Sequence, residues 1–168
     1  GVLVIFFSQS GVDYAKKRGD RVPYVRAVVD SVWAWEPFFK ALRPTHIVVV
    51  CHELWPGFLY TAAKYGSVIL LDGSFKLSLK GVRLWLKRKL FRYFDRVYCV
   101  DAQSANAFRL LCNPSSSTIV KAIGNTKYDR AADRFLADEE DSELCAKVEQ
   151  LLLGGPSLVI GSAWPKDL

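Results

Sequence analysis

Short apolar runs alternate with longer amphipathic stretches along most of this chain. The short runs have the length of strands and end at turn residues, whereas the stretches between them repeat apolar positions at helical spacing. Strands are predicted at Val2–Phe7, His46–Cys51, Ser67–Leu71, Arg96–Val100, Thr118–Ile123 and Ser157–Gly161. Helices are predicted around Val12–Arg18, Val32–Leu42, Pro56–Tyr65, Ser78–Phe94, Ala102–Leu111 and Asp141–Leu153. Strand alternating with helix predicts an α/β fold with a Rossmann-like, doubly wound parallel sheet.

The pattern changes in the last quarter of the chain, where the sequence becomes acidic and helical before a glycine pair and a proline. We therefore predict a Rossmann-like domain at residues 1–130, a connecting helix and hinge at 131–156, and the first strand of a second domain at 157–168. The chain starts at Gly1 inside a predicted strand, so we expect it to be a piece of a longer protein.

The segment after the second predicted strand is the first candidate for chemistry. Ile47–Cys51 is a continuous apolar run typical of a strand buried on both faces, and Pro56 suits the first position of a helix. Glu53 lies between them, at the carboxyl end of a strand, which is where open parallel sheets bind ligands. Glu53 is therefore a candidate catalytic carboxylate. The alternative is a solvated loop residue beside a packed Trp55.

Two further loops are candidates for binding. Ser8–Gly11 follows the first strand as a turn of small residues and offers backbone N–H groups to a ligand. Gly124–Asp129 follows a later strand, at the same edge of the predicted sheet as Glu53, and presents the cation of Lys127 towards developing negative charge. In the alternative interpretation, Lys127 is solvated and Asp129 caps the next helix.

The cysteines and histidines do not indicate a metal site. The four cysteines are scattered without a CxxC pair, which is typical of free buried thiols in a reducing compartment. His52 and Glu53 begin like an HExxH motif, but position 56 is Pro, and His46 is the only other histidine. We predict neither a metal nor a cofactor.

The net charge of +6 comes from one segment, because residues 76–93 contain seven basic residues and no acidic one. On a helix, one face would pack on the sheet, and its members are Val82, Leu86, Leu90 and Phe94. The opposite face mixes cations with apolar side chains, namely Lys80, Arg83, Leu84, Lys87, Arg88 and Phe91.

This mixture favours an anionic membrane surface as the partner of the basic helix. Leucine and phenylalanine enter the headgroup layer while the cations bind lipid phosphates. Nucleic acid is the rival partner, but no nucleic-acid binding motif is present, so we predict none. A solvated helix face is the simplest alternative. No apolar run reaches the roughly 18 residues that a membrane span needs.

The motifs together resemble one family, the bacterial 3-deoxy-D-manno-octulosonic acid (Kdo) transferases. Their order and approximate spacing match the family along the whole chain. The segments are Phe6–Gly11 (Phe-Phe-Ser-Gln-Ser-Gly), Glu53–Pro56 (Glu-Leu-Trp-Pro), Gly124–Asp129 (Gly-Asn-Thr-Lys-Tyr-Asp) and Gly161–Asp167 (Gly-Ser-Ala-Trp-Pro-Lys-Asp). The combination of Glu-Leu-Trp-Pro with a downstream Gly-Asn-x-Lys-Tyr-Asp is specific, whereas the serine-containing turn alone is not.

The resemblance implies the N-terminal half of a glycosyltransferase-B architecture, in which this half takes the lipid A acceptor and a C-terminal domain binds the CMP-Kdo donor. Glu53 and Lys127 match the two residues regarded in the family as stabilising the transition state of an inverting transfer. Ser8, Ser10 and Gly11 match the acceptor-side loop. A peripheral location at the cytoplasmic face of the bacterial inner membrane is expected.

The resemblance also indicates what the chain lacks. The family's general base is a glutamate upstream of the first strand seen here, and its cytidine-binding residues lie beyond Leu168, so we expect this polypeptide to be inactive alone. Ser162–Trp164 and Asp72–Ser74 depart from the family's usual residues, which leaves the acceptor and donor contacts at those positions open.

Two alternatives remain at this point. One is a non-catalytic α/β module that binds an anionic lipid or another polyanion through the basic helix at 76–94. The other is a different two-domain glycosyltransferase, or a sugar-nucleotide epimerase, of the same architecture.

Overall fold

The structure is a computed structural model that describes residues 1–19, 21–27, 29–51, 53–75, 81–115, 117–136, 146–147 and 150. Strands and helices alternate along the described chain. In chain order they are β1 (Val4–Phe6), α1 (Gln9–Arg18), β2 (Tyr24–Arg26), α2 (Val32–Leu42), β3 (His46–Val50), α3 (Pro56–Tyr65), β4 (Ser67–Gly73), α4 (Gly81–Phe91), β5 (Arg96–Cys99), α5 (Ala102–Cys112), β6 (Ile119–Ala122) and α6 (Thr126–Leu136).

The described strands form two parallel sheets. β1 pairs with β2, with Val4 opposite Tyr24. The second sheet has the order β3-β4-β5-β6, so strands that are consecutive in the chain are neighbours in this sheet. Parallel neighbours need a crossover connection, and α3, α4 and α5 provide these connections in the second sheet. The predicted α/β class with a parallel, Rossmann-like sheet is confirmed.

One face of the larger sheet is buried. In β3, Ile47 and Val49 are buried, whereas Val48 and Val50 are 54% and 46% exposed. Side chains alternate between the two faces of a strand, and in the described chain only one of those faces is covered. The prediction that this strand is buried on both faces is therefore wrong.

The core lies against the covered face of that sheet. Residues of the two central strands pack there against helix residues and the segment after α4, and the largest fully buried apolar side chains are Phe39, Leu59, Val68, Leu70, Phe94, Val97, Cys99 and Phe108. Burying an apolar side chain of this size contributes about 1.5–3 kcal/mol relative to leaving it exposed. This packing fixes the strands whose carboxyl ends carry the candidate site.

Most predicted elements are confirmed, and two are confirmed with their bounds, Val32–Leu42 and Pro56–Tyr65. Strand Tyr24–Arg26 was not predicted, because three residues are too few to show an alternating pattern. The segment Gly124–Asp129 is a loop only in part, since α6 already begins at Thr126. The predicted strand at Ser157–Gly161 lies outside the described residues.

The chain divides into two compact units, Gly1–Asn125 and Thr126–Leu168. All of residues 157–168 and most of 131–156 lie outside the described residues, so the predicted domain boundaries remain predictions. Within the described part, no helix has the length and apolar character needed to cross a membrane.

The buried thiols give a test of the core. Desolvation by burial raises the pKa of both Cys99 and Cys112 to about 11, so both are protonated at mildly alkaline pH and present little nucleophilic thiolate. Cys51 is only half-buried. We expect a disulfide-exchange reagent to modify Cys51 before Cys99 and Cys112 in the folded chain, and to modify Cys99 and Cys112 only as fast as the chain unfolds. Peptide mass spectrometry over a time course measures this order, and equally fast modification of Cys99 would contradict the packing of β5.

Candidate functional site

The turn after β1 is the N-terminus of α1. The Ser8 side chain accepts a hydrogen bond from the backbone N–H of Gly11 at 3.2 Å, which caps the helix, and the hydroxyls of Ser8 and Ser10 lie 3.1 Å apart. Both serines are exposed. A Cβ atom on Gly11 would come within 2.5 Å of the Phe6 ring, so glycine lets the helix pack closely on β1. The turn therefore presents two hydroxyls at a helix N-terminus.

The loop after β3 holds Glu53 in a defined orientation. The strand ends at Val50, and the φ of 59° at the following residue, Cys51, turns the chain out of the sheet. The indole Nε1 of Trp55 donates a hydrogen bond to Oε2 of Glu53 at 2.6 Å. Glu53 is exposed, so the carboxylate is oriented by the indole while remaining accessible to a ligand.

An aromatic stack brings these two loops together. The rings of Phe7 and Trp55 are nearly parallel, with an interplanar angle of 4° and centroids 5.0 Å apart. Phe7 directly precedes Ser8, and Trp55 binds Glu53. Phe7 also meets the ring of Phe58 edge-on at 5.6 Å. The predicted acceptor-side turn and the predicted catalytic carboxylate therefore lie on either side of one aromatic contact.

Asp30 supports this site, and sequence reasoning missed it. Its carboxylate accepts hydrogen bonds from the backbone N–H groups of Gly57 (2.9 Å) and Phe58 (2.7 Å), and from the indole Nε1 of Trp35 at 3.2 Å. Trp55, at the cap position of α3, makes no side-chain cap, so Asp30 caps the helix from 27 residues away. The sequence feature that indicates a distant cap is the start of this helix, Pro-Gly, which has no capping side chain before it.

Gly57 is the position that admits the Asp30 carboxylate. A Cβ atom there would lie 2.9 Å from Oδ1 of Asp30 and 3.1 Å from its backbone oxygen. Any larger residue would push Asp30 away from the first N–H groups of α3. The start of α3, and with it the Glu53 loop, thus depends on this close approach.

A second carboxylate lies at the carboxyl end of β4. Asp72 is 3% exposed and has a φ of 56°, and the register between β4 and β5 shifts between Leu70 and Gly73. After this irregularity the backbone N–H of Phe75 donates to the hydroxyl of the buried Ser104 at 3.3 Å. Asp72 was not predicted as a site residue, although its position after an apolar run is the same signal that selected Glu53.

Lys127 is the second residue of α6 and is exposed. Asp129 also lies inside the first turn of this helix, so the alternative in which Asp129 caps it is wrong. Glu53 belongs to the unit Gly1–Asn125 and Lys127 to the unit Thr126–Leu168. The predicted pairing of these two side chains across one site remains a prediction.

The predicted membrane-binding face of α4 needs a correction. Phe91 is 4% exposed and packs against the rings of Phe75 and Phe108, so it does not point outwards. Leu84 and Lys87 are half-buried. Of the other residues predicted on this face, Arg83 and Arg88 are exposed and Lys80 lies outside the described residues.

The face of α4 predicted to pack on the sheet is also partly wrong. Leu90 and Phe94 are buried as expected, but Val82 and Leu86 are 80% and 47% exposed. The physical reason is that the stripe facing the core runs through the half-buried Leu84 and the buried Leu90 and Phe91, about a quarter turn away from the predicted stripe.

In the described part of the chain, no group of three or more His, Cys, Asp and Glu side chains is placed to hold a metal ion.

Fold and site together define a class of protein. Parallel strands joined by helices, with a carboxylate loop and a helix N-terminus at carboxyl ends of strands, form a Rossmann-like domain of the kind that binds ligands at that edge. The chain belongs to the Kdo transferase family, because the family profile described as "3-Deoxy-D-manno-octulosonic-acid transferase (kdotransferase)" matches residues 1–130.

A curated relative agrees with this assignment. The chain is 25% identical over 147 residues to the 3-deoxy-D-manno-octulosonic acid transferase of Rickettsia prowazekii (strain Madrid E). The match covers 83% of this chain but spans only 29% of the length of the relative. No solved structure gives a significant match. The resemblance seen in the sequence is confirmed at the level of the family.

The role of Asp30 can be tested by removing its carboxylate. In Asp30→Ala, two backbone N–H groups at the start of α3 and the indole of Trp35 lose their acceptor, which should lower the free energy of unfolding by about 1–3 kcal/mol. Urea unfolding followed by circular dichroism measures this loss.

The matched control for that substitution is Asp13→Ala, because Asp13 is exposed and its side chain accepts a hydrogen bond from Gln9 on the same helix. It should change the stability by less than about 0.5 kcal/mol. Equal stabilities of the Asp30 and Asp13 variants would show that the carboxylate of Asp30 does not hold α3.

Proposed function

We propose that this chain is the acceptor-binding, N-terminal part of an inverting glycosyltransferase that moves Kdo from CMP-Kdo to a lipid A precursor in lipopolysaccharide biosynthesis. The observation that carries the proposal is the orientation of Glu53 by Trp55 beside the turn that contains Ser8. The family match supports the sugar transfer, and the name of the Rickettsia relative specifies Kdo as the sugar which that protein transfers.

The chemistry sets what the site must supply. A hydroxyl of the acceptor sugar attacks the anomeric carbon of Kdo, the bond from that carbon to the CMP phosphate breaks, and the hydroxyl proton passes to a base. The transition state therefore has positive charge at the sugar ring and growing negative charge on the leaving phosphate. A carboxylate near the ring and a cation near the phosphate both stabilise it.

Glu53 is proposed to provide the carboxylate. The Trp55 indole fixes one of its oxygens at 2.6 Å, which limits the side-chain rotamers and reduces the entropy lost when substrate binds. In this orientation the carboxylate binds the acceptor hydroxyl or balances the oxocarbenium-like charge. The general base is proposed to be a different glutamate, located upstream of Gly1 in the parent protein.

Lys127 is proposed to offset the charge of the departing CMP phosphate. Its place in the first turn of α6 suits this role, because the positive end of the helix dipole favours an anion. Ser8, Ser10 and Gly11 are proposed to bind the acceptor through the exposed hydroxyls and the N-terminal turn of α1.

The parent protein is proposed to act as a peripheral protein at the cytoplasmic face of the bacterial inner membrane, where a lipid-linked acceptor is presented. Its donor site is proposed to lie in a C-terminal domain beyond Leu168. The 168-residue chain alone should then show no transfer.

The proposal predicts large activity losses from small substitutions in the full-length parent. Glu53→Gln removes the charge while keeping the shape, and Lys127→Ala removes the cation. Each should lower kcat for transfer from CMP-Kdo to a lipid A precursor by at least about a hundredfold. The measurement is the rate of Kdo incorporation at saturating donor.

Matched controls for the two site variants are exposed residues of the same charge, Asp133→Asn and Lys40→Ala. Both should keep the activity of the parent. Full activity in Glu53→Gln or Lys127→Ala would remove the corresponding residue from the mechanism, and a folded parent that transfers no Kdo would leave the non-catalytic module as the better interpretation.

A further inference from the structure

A pocket of about 140 Å³ lies between the end of β2 and the first two turns of α2. Its walls are almost entirely apolar, and the residues that form them are Val25, Ala27, Val29, Ala34, Trp35 and Phe38. Trp35 is buried, whereas Val29 is 58% exposed, so the pocket has a packed floor and opens to solvent. An apolar cavity of about 150 Å³ can hold benzene, so this pocket accommodates a hydrocarbon group of about six carbon atoms.

Among the described residues that line the pocket, only Arg26 is charged. Arg26 is exposed, and its guanidinium donates a hydrogen bond to Oε1 of Gln9 at 2.8 Å. Gln9 lies between Arg26 and the carboxylate of Asp13, to which its own Nε2 donates. Because the amide is neutral, the bond to Gln9 does not neutralise Arg26, and the guanidinium carries further N–H donors for an anion. The pocket therefore combines hydrocarbon walls with one cation at its rim.

The pocket adjoins the turn proposed to bind the acceptor. β1 and β2 are parallel and in register, so their carboxyl ends lie at the same edge of their sheet. Gln9, the partner of Arg26, is the first residue of α1 and directly follows Ser8. The ring of Trp35 meets that of Phe7, which precedes Ser8, with centroids 5.9 Å apart. A molecule bound at the turn can thus reach the pocket.

We propose that this pocket, which we call the β2–α2 pocket, binds one acyl chain of the acceptor, and that Arg26 binds a phosphate of the same molecule. The acceptor is then an acylated, phosphorylated sugar, whose hydroxyl lies at the turn that contains Ser8 while its chain lies between β2 and α2. Acyl-chain recognition rests on the proposed transferase function and specifies which part of the acceptor this site selects.

The lining of the β2–α2 pocket favours a hydrocarbon chain over a sugar ring. The hydroxyls of a sugar would lose their hydrogen bonds with water and find few partners among apolar walls. A hydrocarbon chain gains from the same walls, because each buried methylene contributes roughly fourfold in affinity. An apolar side chain of a partner protein would gain in the same way, but it carries no anion for Arg26. The cation at the rim therefore favours an anionic amphiphile.

The experiment is a titration of the 168-residue chain with hexyl phosphate, followed by NMR at the indole N–H of Trp35. The pocket holds a single chain, so a water-soluble probe suffices and no bilayer is needed. The Trp35 signal should shift on binding. Hexyl phosphate should bind at least about thirtyfold more tightly than ethyl phosphate, because it buries up to four more methylenes.

Two variants separate the apolar walls from the cation. Ala34→Leu places a larger side chain in the pocket from an exposed position of α2, and it should weaken binding of hexyl phosphate at least about tenfold. The matched control is Ala41→Leu, the same change at an exposed position of α2 that does not line the pocket, which should leave binding unchanged. Arg26→Gln should weaken binding of hexyl phosphate but not of hexanol, because hexanol carries no charge.

The full-length parent provides a second readout. With an acylated acceptor, Ala34→Leu should raise KM for the acceptor at least about tenfold and leave kcat nearly unchanged, because the chain is held equally in the ground state and the transition state. Ala41→Leu should change neither constant. A variant that merely unfolds would lose active enzyme and hence kcat, and circular dichroism establishes that each variant is folded.

Three outcomes would overturn the proposal. They are no shift of the Trp35 signal with hexyl phosphate, equal affinities for hexyl and ethyl phosphate, and equal behaviour of the Ala34 and Ala41 variants. The proposed function fails separately from the pocket. A parent that transfers no Kdo, although the chain binds hexyl phosphate as described, contradicts the transferase alone. A parent that transfers Kdo with the same acceptor KM in Ala34→Leu contradicts the pocket alone.

Discussion

The stacking of Phe7 on Trp55 is the contact on which the candidate site depends. Phe7 follows β1 in the smaller sheet, and Trp55 precedes α3 after the first strand of the larger sheet. The same phenylalanine meets Trp35 of α2 and Phe58 of α3, so one side chain contacts two helices and the loop that contains Trp55. Aromatic pairs of this kind contribute about 0.5–1.5 kcal/mol beyond the burial of their area. In the described chain, the site is therefore assembled by side-chain packing between two sheets rather than by a continuous ladder of backbone hydrogen bonds.

Sequence reasoning recovered most of the fold because the fold repeats one simple pattern. Apolar runs of strand length separated by amphipathic segments identify parallel strands and their helices, and Pro56 and Gly66 marked both ends of α3. It also placed Glu53 after the carboxyl end of a strand, since that edge of a parallel sheet follows from the order of strands and helices. Asp30 could not be found in this way. Its partners are 27 and 28 residues away, and a contact of that separation leaves no local periodicity.

The errors on α4 have a different physical origin. This helix has apolar residues on every side, so its sequence alone does not fix which stripe faces the sheet. Contacts with other elements decide the rotation. Phe91 is held by the rings of Phe75 and Phe108, and this places Val82 and Trp85 on the outside. Because apolar residues occur on every side of α4, some of them stay exposed whichever stripe packs on the sheet.

Because Gly57 lies so close to Asp30, the residue tolerated at one of these positions depends on the residue at the other, although the two are distant in sequence. A side chain larger than hydrogen at position 57 displaces the carboxylate of Asp30. If the carboxylate is absent, glycine at position 57 has no structural advantage, because glycine lowers the stability of a helix. The effects of substitutions at the two positions on the free energy of unfolding should be strongly non-additive, because each substitution changes how much the residue at the other position stabilises the fold. Relatives that lose one member of the pair should therefore lose the other as well, and would need a new capping residue to hold the Glu53 loop.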